Sequence, residues 1–431
     1  MVATVIPTAP GRLPLLGHLP YLLRAPLPFM RSLRALGDVV VIHVAGKPMY
    51  VVNDSELVHR ILVADVSRFD KGVQYDKLKA LLGNGLSTAT GVAHRDRRRL
   101  MQPAFHPQRV ARYSTLMGDL ASSMVDDWKD GEVIAVDEAM RRLSLMVVVG
   151  AMCSAELGAD AVAVIQRDLP VVLRGIPWRA LSPIESLERL PLPFNRNFAA
   201  ANARLRRTVE ELIERYRADG LDHNDLLSLL MSAHDAHTGA GLDDAAIRDE
   251  VVNLLFAGTE TTGNALAWVW HALAANPDVE HLLHEEVDAG GSAYTRRVIR
   301  EALRLYPPPW LITRRVREPV SLGGYDLPAG ASVLFSPYAT HRDPAVYPDA
   351  ERFDPDRWSP ERAREVPRHA YMTFGGGAHN CIGEGFALLE MTTVTATIAA
   401  RVRLRPVDRT VEKASATLIP SRLRMRVERR E

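Results

Sequence analysis

Tyr371-Met372-Thr373-Phe374-Gly375-Gly376-Gly377-Ala378-His379-Asn380-Cys381-Ile382-Gly383 is the stretch on which the reading of this chain turns. Three consecutive glycines remove side chains and permit turns that bring backbone close to another object. Cys381 follows, just ahead of a helix expected to start near Glu384. The orphan N–H groups and macrodipole of a helix N-terminus favour a thiolate. A thiolate so placed can be a nucleophile, a redox sensor or a metal ligand. No second cysteine lies nearby to resolve a sensor or complete a zinc site. A phosphate loop is excluded too, because GGGAHN lacks the GK[ST] ending and Asn380 stands where G-x-G-x-x-G requires glycine.

Outward from that loop, the 431 residues are 47% hydrophobic and 24% charged, with 28 Gly, 28 Pro and 2 Cys. This is a globular composition, not a disordered, collagen-like or disulfide-scaffold one. With 53 basic against 52 acidic residues, nothing points to a nucleic-acid partner or a polybasic membrane anchor. The N-terminus lacks a charged segment followed by an apolar one, so no signal peptide is expected. The longest apolar run, 143–153, is too short to span a bilayer and reads as a buried helix containing Cys153. A soluble, cytoplasmic chain is the expectation.

Strand signals are few. Segments 39–44 and 49–52 flank Ala45-Gly46-Lys47-Pro48 as a hairpin, and short strands are expected near 320–322, 333–335 and 423–427. From about 100 to 306 helical periodicity dominates, as in 205–216 and 226–234. The six prolines of residues 1–30 speak against any helix there. The fold class is therefore mainly α with a minor β region drawn from both ends, in one domain over 1–431 onto which the Pro-rich segment 1–30 packs. The longest helix runs from a cap at Asp243 or Asp244 to Asn276-Pro277. Its middle, Ala257-Gly258-Thr259-Glu260-Thr261-Thr262, is locally weakened by a glycine and stiff threonines.

A single thiolate on a glycine-rich loop can ligate haem iron from one side. Phe374-x-x-Gly377-x-His379-x-Cys381-x-Gly383 resembles the haem-binding signature of the cytochrome P450 family. Glu301-Ala302-Leu303-Arg304 resembles that family's Glu-x-x-Arg motif, and Asp354-Pro355-Asp356-Arg357-Trp358 the segment whose Arg completes a Glu–Arg–Arg cluster. Ala257-Gly258-Thr259-Glu260-Thr261-Thr262 is similar to its oxygen-activating kink. The likeness spans roughly residues 11–427. It implies a P450-like domain whose long central helix crosses a haem b, and a monooxygenase that inserts one oxygen atom of O2 into a hydrophobic small molecule.

The resemblance also implies roles. Cys381 would be the iron ligand, Glu260 and Thr261 would handle the protons that O2 reduction consumes, and Ala257 and Gly258 would make room at the cofactor. Glu301, Arg304 and Arg357 would form a buried structural cluster that holds the cysteine loop in register. His94 and Arg98, His379, and Arg314 (or Arg315, one residue on) would meet the haem propionates, with Phe374 and Gly377 shaping the loop. Arg95, Arg97 and Arg99 read as exposed, and so do His281 and His284. The substrate pocket would draw Tyr75, Leu78 and Leu81 from one segment and Phe256 from the long helix. Segment 174–193, Trp310, Ile312 and Leu418 would complete it.

Such a cavity fits a terpene or a fatty acyl chain. The segments Tyr306-Pro307-Pro308-Pro309-Trp310 and 354–358 are similar to those of a bacterial subgroup that includes sesquiterpene oxidases. With no reductase expected in the chain, electrons would come from NAD(P)H through a separate ferredoxin and ferredoxin reductase to a monomer, steered by basic residues such as Arg364 and Arg368. A peroxide-dependent haem-thiolate enzyme and a non-catalytic haem sensor or carrier are the alternatives.

Overall fold

The computed structural model describes residues 5–153, 159–181, 190–234, 239 and 241–430. In chain order its principal helices are α1 (Leu19–Arg24), α2 (Pro26–Ser32), α3 (Gly91–Met101), α4 (Val136–Met152), α5 (Ala159–Leu181) and α6 (Pro193–Asp219). There follow α7 (Asp244–Ala275), α8 (Pro277–Asp288), α9 (Ala293–Leu305) and α10 (Glu384–Ala399). The strands are β1 (Val39–Val44), β2 (Lys47–Val52), β3 (Phe69–Lys71), β4 (Val133–Ala135), β5 (Ile312–Val316) and β6 (Val320–Leu322). The later ones are β7 (Tyr325–Leu327), β8 (Ser332–Phe335), β9 (Val402–Pro406), β10 (Glu412–Ala414), β11 (Leu418–Pro420) and β12 (Arg424–Arg429). Among the described residues no helix is long and apolar enough to cross a membrane.

Two compact units are present: residues 1–76 with 300–381, and residues 77–299 with 382–431. The first is built on a five-stranded sheet of order β1-β2-β8-β5-β3. The expected hairpin forms its edge. Ala45 at φ +49° and Gly46 at φ +81° supply the two left-handed positions of a tight turn that matches strand twist. Val39, Val52, Ile61, Leu62, Val333 and Phe335 fill the core beneath that sheet. Contrary to the proline argument, α1 and α2 do form. Their prolines fall in the first turn, where a helix has no use for the missing N–H.

The second unit carries the helical layer. α4 packs along α7, α6 lies on α5 and α7, and a separate three-stranded sheet β4-β12-β9 and a β10-β11 hairpin complete it. The minor β region is thus split between the units as several small sheets. α7 begins at the expected cap, where the Asp243 carboxylate accepts from the Ala246 N–H, and runs helical to Ala275. Its glycines have a packing reason: a Cβ at Gly258 would lie 2.6 Å from Val148 Cγ2, and one at Gly263 would lie 2.7 Å from Arg141 Cα. They let α4 approach closely, a benefit that offsets the roughly 1 kcal/mol a glycine costs in a helix.

Candidate active site

In the first unit the cysteine loop is a tight backbone cradle. Gly375 and Gly377 adopt φ +77° and +60°, and a Cβ at Gly377 would lie 2.1 Å from the Leu62 carbonyl oxygen. Glycine is therefore required at Gly377 twice over, by conformation and by space. The half-buried Phe374 turns its carbonyl back to accept the Cys381 N–H at 2.8 Å. The Cys381 thiol is exposed. Cys153 is the opposite case: it is buried, and burial pushes its thiol far above the ordinary range, so it is inert packing.

What holds the cradle is the Glu301 cluster. Arg304 donates to both Glu301 oxygens, Nε at 2.9 Å and Nη2 at 2.8 Å. Trp358 Nε1 donates to Oε2 at 2.9 Å, the Asp354 N–H donates to Oε1 at 3.0 Å, and Arg357 Nε stands 3.4 Å from Oε1. Glu301 and Arg304 are fully buried. Arg304 also donates to the carbonyls of His341 and Ala350, both at 2.7 Å. Such a pair is far from a solvated surface bridge, because every oxygen and most N–H groups are spoken for.

His341 connects the cluster to the cysteine loop, and sequence reasoning missed it. Its Nε2 accepts from the Met372 N–H at 3.0 Å, so the ring proton sits on Nδ1 and donates to the Arg304 carbonyl at 3.1 Å. Burial first, and then the Arg304 charge, lower its pKa to about 3, which keeps the ring neutral as this bonding requires. Thr373 Oγ1 adds a second tie, donating to the Leu303 carbonyl at 3.2 Å. A histidine 40 positions before the cysteine carries no spacing signal; only the fold brings it there.

Also in this unit, the structure separates Arg314 from Arg315. Arg315 pairs with Asp76 at 2.8 Å and Asp70 at 3.6 Å. Arg314 is buried, its Nη1 donates to the Thr313 carbonyl at 2.8 Å, and no carboxylate meets its charge among the described residues. A buried cation of that kind suits an anionic ligand. Exposed thiol, glycine cradle and unmatched guanidinium together are what a propionate-bearing metal porphyrin needs, so the residues of this unit fit the haem that the motifs imply.

In the second unit, Glu260 and Thr261 lie side by side in sequence yet make separate contacts, as successive helix residues about 100° apart do. Thr261 Oγ1 donates to the Ala257 carbonyl at 2.6 Å, beside an exposed Ala257 in the middle of α7. The Glu260 carboxyl is buried and accepts from Thr417 Oγ1 at 3.1 Å. Burial raises its pKa, with Thr417 and Arg141 opposing. A direct acid–alcohol contact is not what the sequence neighbours make.

On α3, His94 is buried and Arg98 half-buried, whereas Arg95 and Arg99 are exposed as expected. Arg97 is a correction: it pairs at 2.9 Å with the fully buried Glu250 of α7, whose other oxygen accepts the Leu86 N–H. His284 is another, for it is buried on α8 against Glu280, which Arg405 pairs at 2.7 Å; His281 is exposed. The buried Glu280 carboxylate has its cationic partner in Arg405, while His284 lies one helical turn from it at 3.9 Å.

The residues expected to line a substrate pocket are placed as follows. Trp310 and Ile312 are buried and Tyr75 is half-buried in the first. In the second, Leu418 is fully buried with its carbonyl accepting from Trp268 Nε1 at 3.0 Å, and Leu78 and Phe256 pack against the core. The Leu81 side chain and residues 182–189 of the 174–193 segment lie outside the described residues.

Comparison with known proteins agrees with the motifs. The Cytochrome P450 family model matches residues 7–423. The chain is 43% identical over 415 residues to the cyclooctat-9-en-7-ol 5-monooxygenase of Streptomyces melanosporofaciens, covering 94% of this chain and 90% of that one. It is 38% identical over 436 residues to the pentalenene oxygenase of Streptomyces avermitilis, covering 97% and 96%. Among solved structures, the heme domain of cytochrome P450DA superposes with a TM-score of 0.89 at 28% identity, covering 100% of this chain and 99% of that one. The chain belongs to the cytochrome P450 family of haem monooxygenases.

Proposed function

We propose that this cytochrome P450 oxidises a terpenoid hydrocarbon or alcohol, with electrons drawn from NAD(P)H through a separate ferredoxin and ferredoxin reductase in the cytoplasm. The observation that carries the substrate class is the 43% identity, over 94% of the chain, to a relative named for oxidising cyclooctat-9-en-7-ol. The pentalenene oxygenase likeness supports it independently. The apolar character of Phe256, Trp310, Ile312 and Leu418 is in keeping with a hydrocarbon skeleton.

Cys381 would hold haem b through its thiolate, and Arg314, His94, Arg98 and His379 would meet the propionates. When bound, that group supplies O2 binding and activation, chemistry no side chain offers. The chain's own residues manage position and protons. The cradle of Gly375 and Gly377 fixes the thiolate, and the Glu301 cluster fixes the cradle. Glu260, holding its proton to higher pH than an ordinary carboxyl, serves as a proton reservoir, and the Thr261 hydroxyl passes protons while excluding stray water. Exposed Arg364 and Arg368 would steer an acidic ferredoxin.

A substrate-induced spectral screen tests the class. Cyclooctat-9-en-7-ol and pentalenene should shift the Soret band, and fatty acids, steroids and macrolides should not; a response confined to the latter group overturns it. Turnover with NADPH plus surrogate ferredoxin and reductase should far exceed turnover with peroxide alone, and the reverse overturns the electron route. Thr261→Ala should raise peroxide released per NADPH several-fold while leaving substrate binding nearly unchanged. Intact coupling in that variant would remove Thr261 from the mechanism.

A further inference from the structure

The Glu260 carboxyl is the end of a hydrogen-bonded chain. Arg141 Nη1 on α4 stands 3.3 Å from Asn264 Oδ1, Asn264 Nδ2 donates to Thr417 Oγ1 at 3.0 Å, and Thr417 Oγ1 stands 3.1 Å from Glu260 Oε1. Asp137 holds Arg141 from one turn back at 3.1 Å and in turn accepts the Leu423 N–H. Asn264 is fully buried, with Thr417 and Glu260 nearly so.

The direction of this chain is fixed by elementary valence. A guanidinium can only donate, so Asn264 presents its oxygen to Arg141 and its NH2 to Thr417. A threonine hydroxyl has one proton; with its lone pair already accepting from Asn264, that proton is left for Glu260 Oε1. Every donor therefore points toward one oxygen of the carboxyl. Glu260 Oε2 is buried and has no hydrogen-bond partner among the described residues.

We propose that Thr417 and Asn264 are positioning residues for the reaction: they clamp Glu260 by Oε1, so that Oε2 alone is the atom through which it gives and regains a proton. This rests on the reading of Glu260 as a proton-handling group. When a relaying water takes the proton from Oε2, the resulting carboxylate is met at Oε1 by the Thr417 hydroxyl, with the Arg141 charge behind it; a second solvent water returns a proton to Oε2. Arg141 on α4 is the charged group that acts on Glu260, tempered by Asp137, and α10, also packed on α7, brings the buried Glu390. Without Thr417 the carboxyl loses its one donor among the described residues and its orientation together.

The test uses haem-loaded, substrate-free protein as wild type, Thr417→Val, Thr417→Ser and Glu260→Gln. The infrared band of the protonated carboxyl, identified by its loss in Glu260→Gln, is titrated. Its midpoint should rise by about one pH unit in Thr417→Val, the scale of one hydrogen bond to a charged group, and return in Thr417→Ser. In parallel, NADPH and O2 consumption are compared with surrogate ferredoxin and reductase. Two electrons and two protons per O2 give peroxide, and four of each give water. The share reaching water should fall about fivefold in Thr417→Val and recover in Thr417→Ser. An unchanged midpoint, or an unchanged water share in Thr417→Val while Glu260→Gln loses it, overturns the clamp. An unchanged water share in Glu260→Gln overturns the proton role of Glu260, and the clamp falls with it.

Discussion

Glu390 gives the sharpest test of the helical unit. It lies on α10, fully buried, with both carboxyl oxygens lacking a hydrogen-bond partner among the described residues; Ser144 of α4 faces it without closing a bond. Burial raises its pKa from 4.5 to about 8. The folded protein therefore keeps a proton there that the unfolded chain has already released above pH 4.5. Stability from this group is complete below pH 4.5 and is lost as pH rises toward 8, with a limiting slope of about 1.4 kcal/mol per pH unit. Between pH 6 and 8 the loss is about 2 kcal/mol, a sizeable part of the ~5–15 kcal/mol that separates folded from unfolded domains. Glu390→Gln keeps the shape and removes the proton. Its urea midpoint, measured on haem-loaded protein at pH 6, 7, 8 and 9, should gain on wild type by that amount from pH 6 to 8 and level off by pH 9. Haem stabilises both proteins by mass action, so the difference isolates the residue. A wild-type-to-variant difference that stays constant from pH 6 to 8 would refute the reasoning.

His341 runs the other way. With a folded pKa of about 3 against 6.5, stability is lost as pH falls from about 6.5, so wild type should lose about 2 kcal/mol more than His341→Gln between pH 7 and 5, read from urea midpoints. Gly377→Ala must place a Cβ against the Leu62 carbonyl at positive φ; a cost of roughly 2–4 kcal/mol should appear as loss of the red-shifted reduced carbon-monoxide Soret band. Retention of that band at wild-type intensity would contradict the cradle. Glu301→Gln strands two buried guanidiniums and should cost about 3–5 kcal/mol, lowering both the urea midpoint and the haem content of purified protein.

The parts of this molecule legible in its sequence are those where chemistry restricts residue choice locally. The cysteine loop could be read because glycine is the residue that most readily takes its left-handed turns, and α7 because an aspartate cap and an Asn-Pro end bracket it. Glu301 and Arg304 were legible as neighbours one turn apart. Their remaining partners were not: Trp358, His341 and the carbonyls of Ala350 and Arg352 come from segments that only tertiary structure brings together. The same holds for Thr417, which lies 157 positions from the carboxyl it bonds. The prolines of residues 1–30 misled because their effect depends on position within a turn. Arg97 misled because its buried partner Glu250 lies on α7, and His284 because the burial of its face of α8 is set by tertiary packing.

The β1–β2 hairpin has a consequence for how the chain is made. Its turn and both strands are available once the first 52 residues exist, but the next partner of β2 is β8, with Tyr50 opposite Val333. At ~5–20 residues per second, a ribosome needs roughly 15–55 s to cover the intervening distance. Throughout that interval β2 offers an unpaired edge at Met49, Tyr50 and Val51, the kind of surface that templates pairing between chains. The five-stranded sheet of the cysteine unit is thus incomplete through most of synthesis, and expression yield should depend on translation speed between residues 52 and 332.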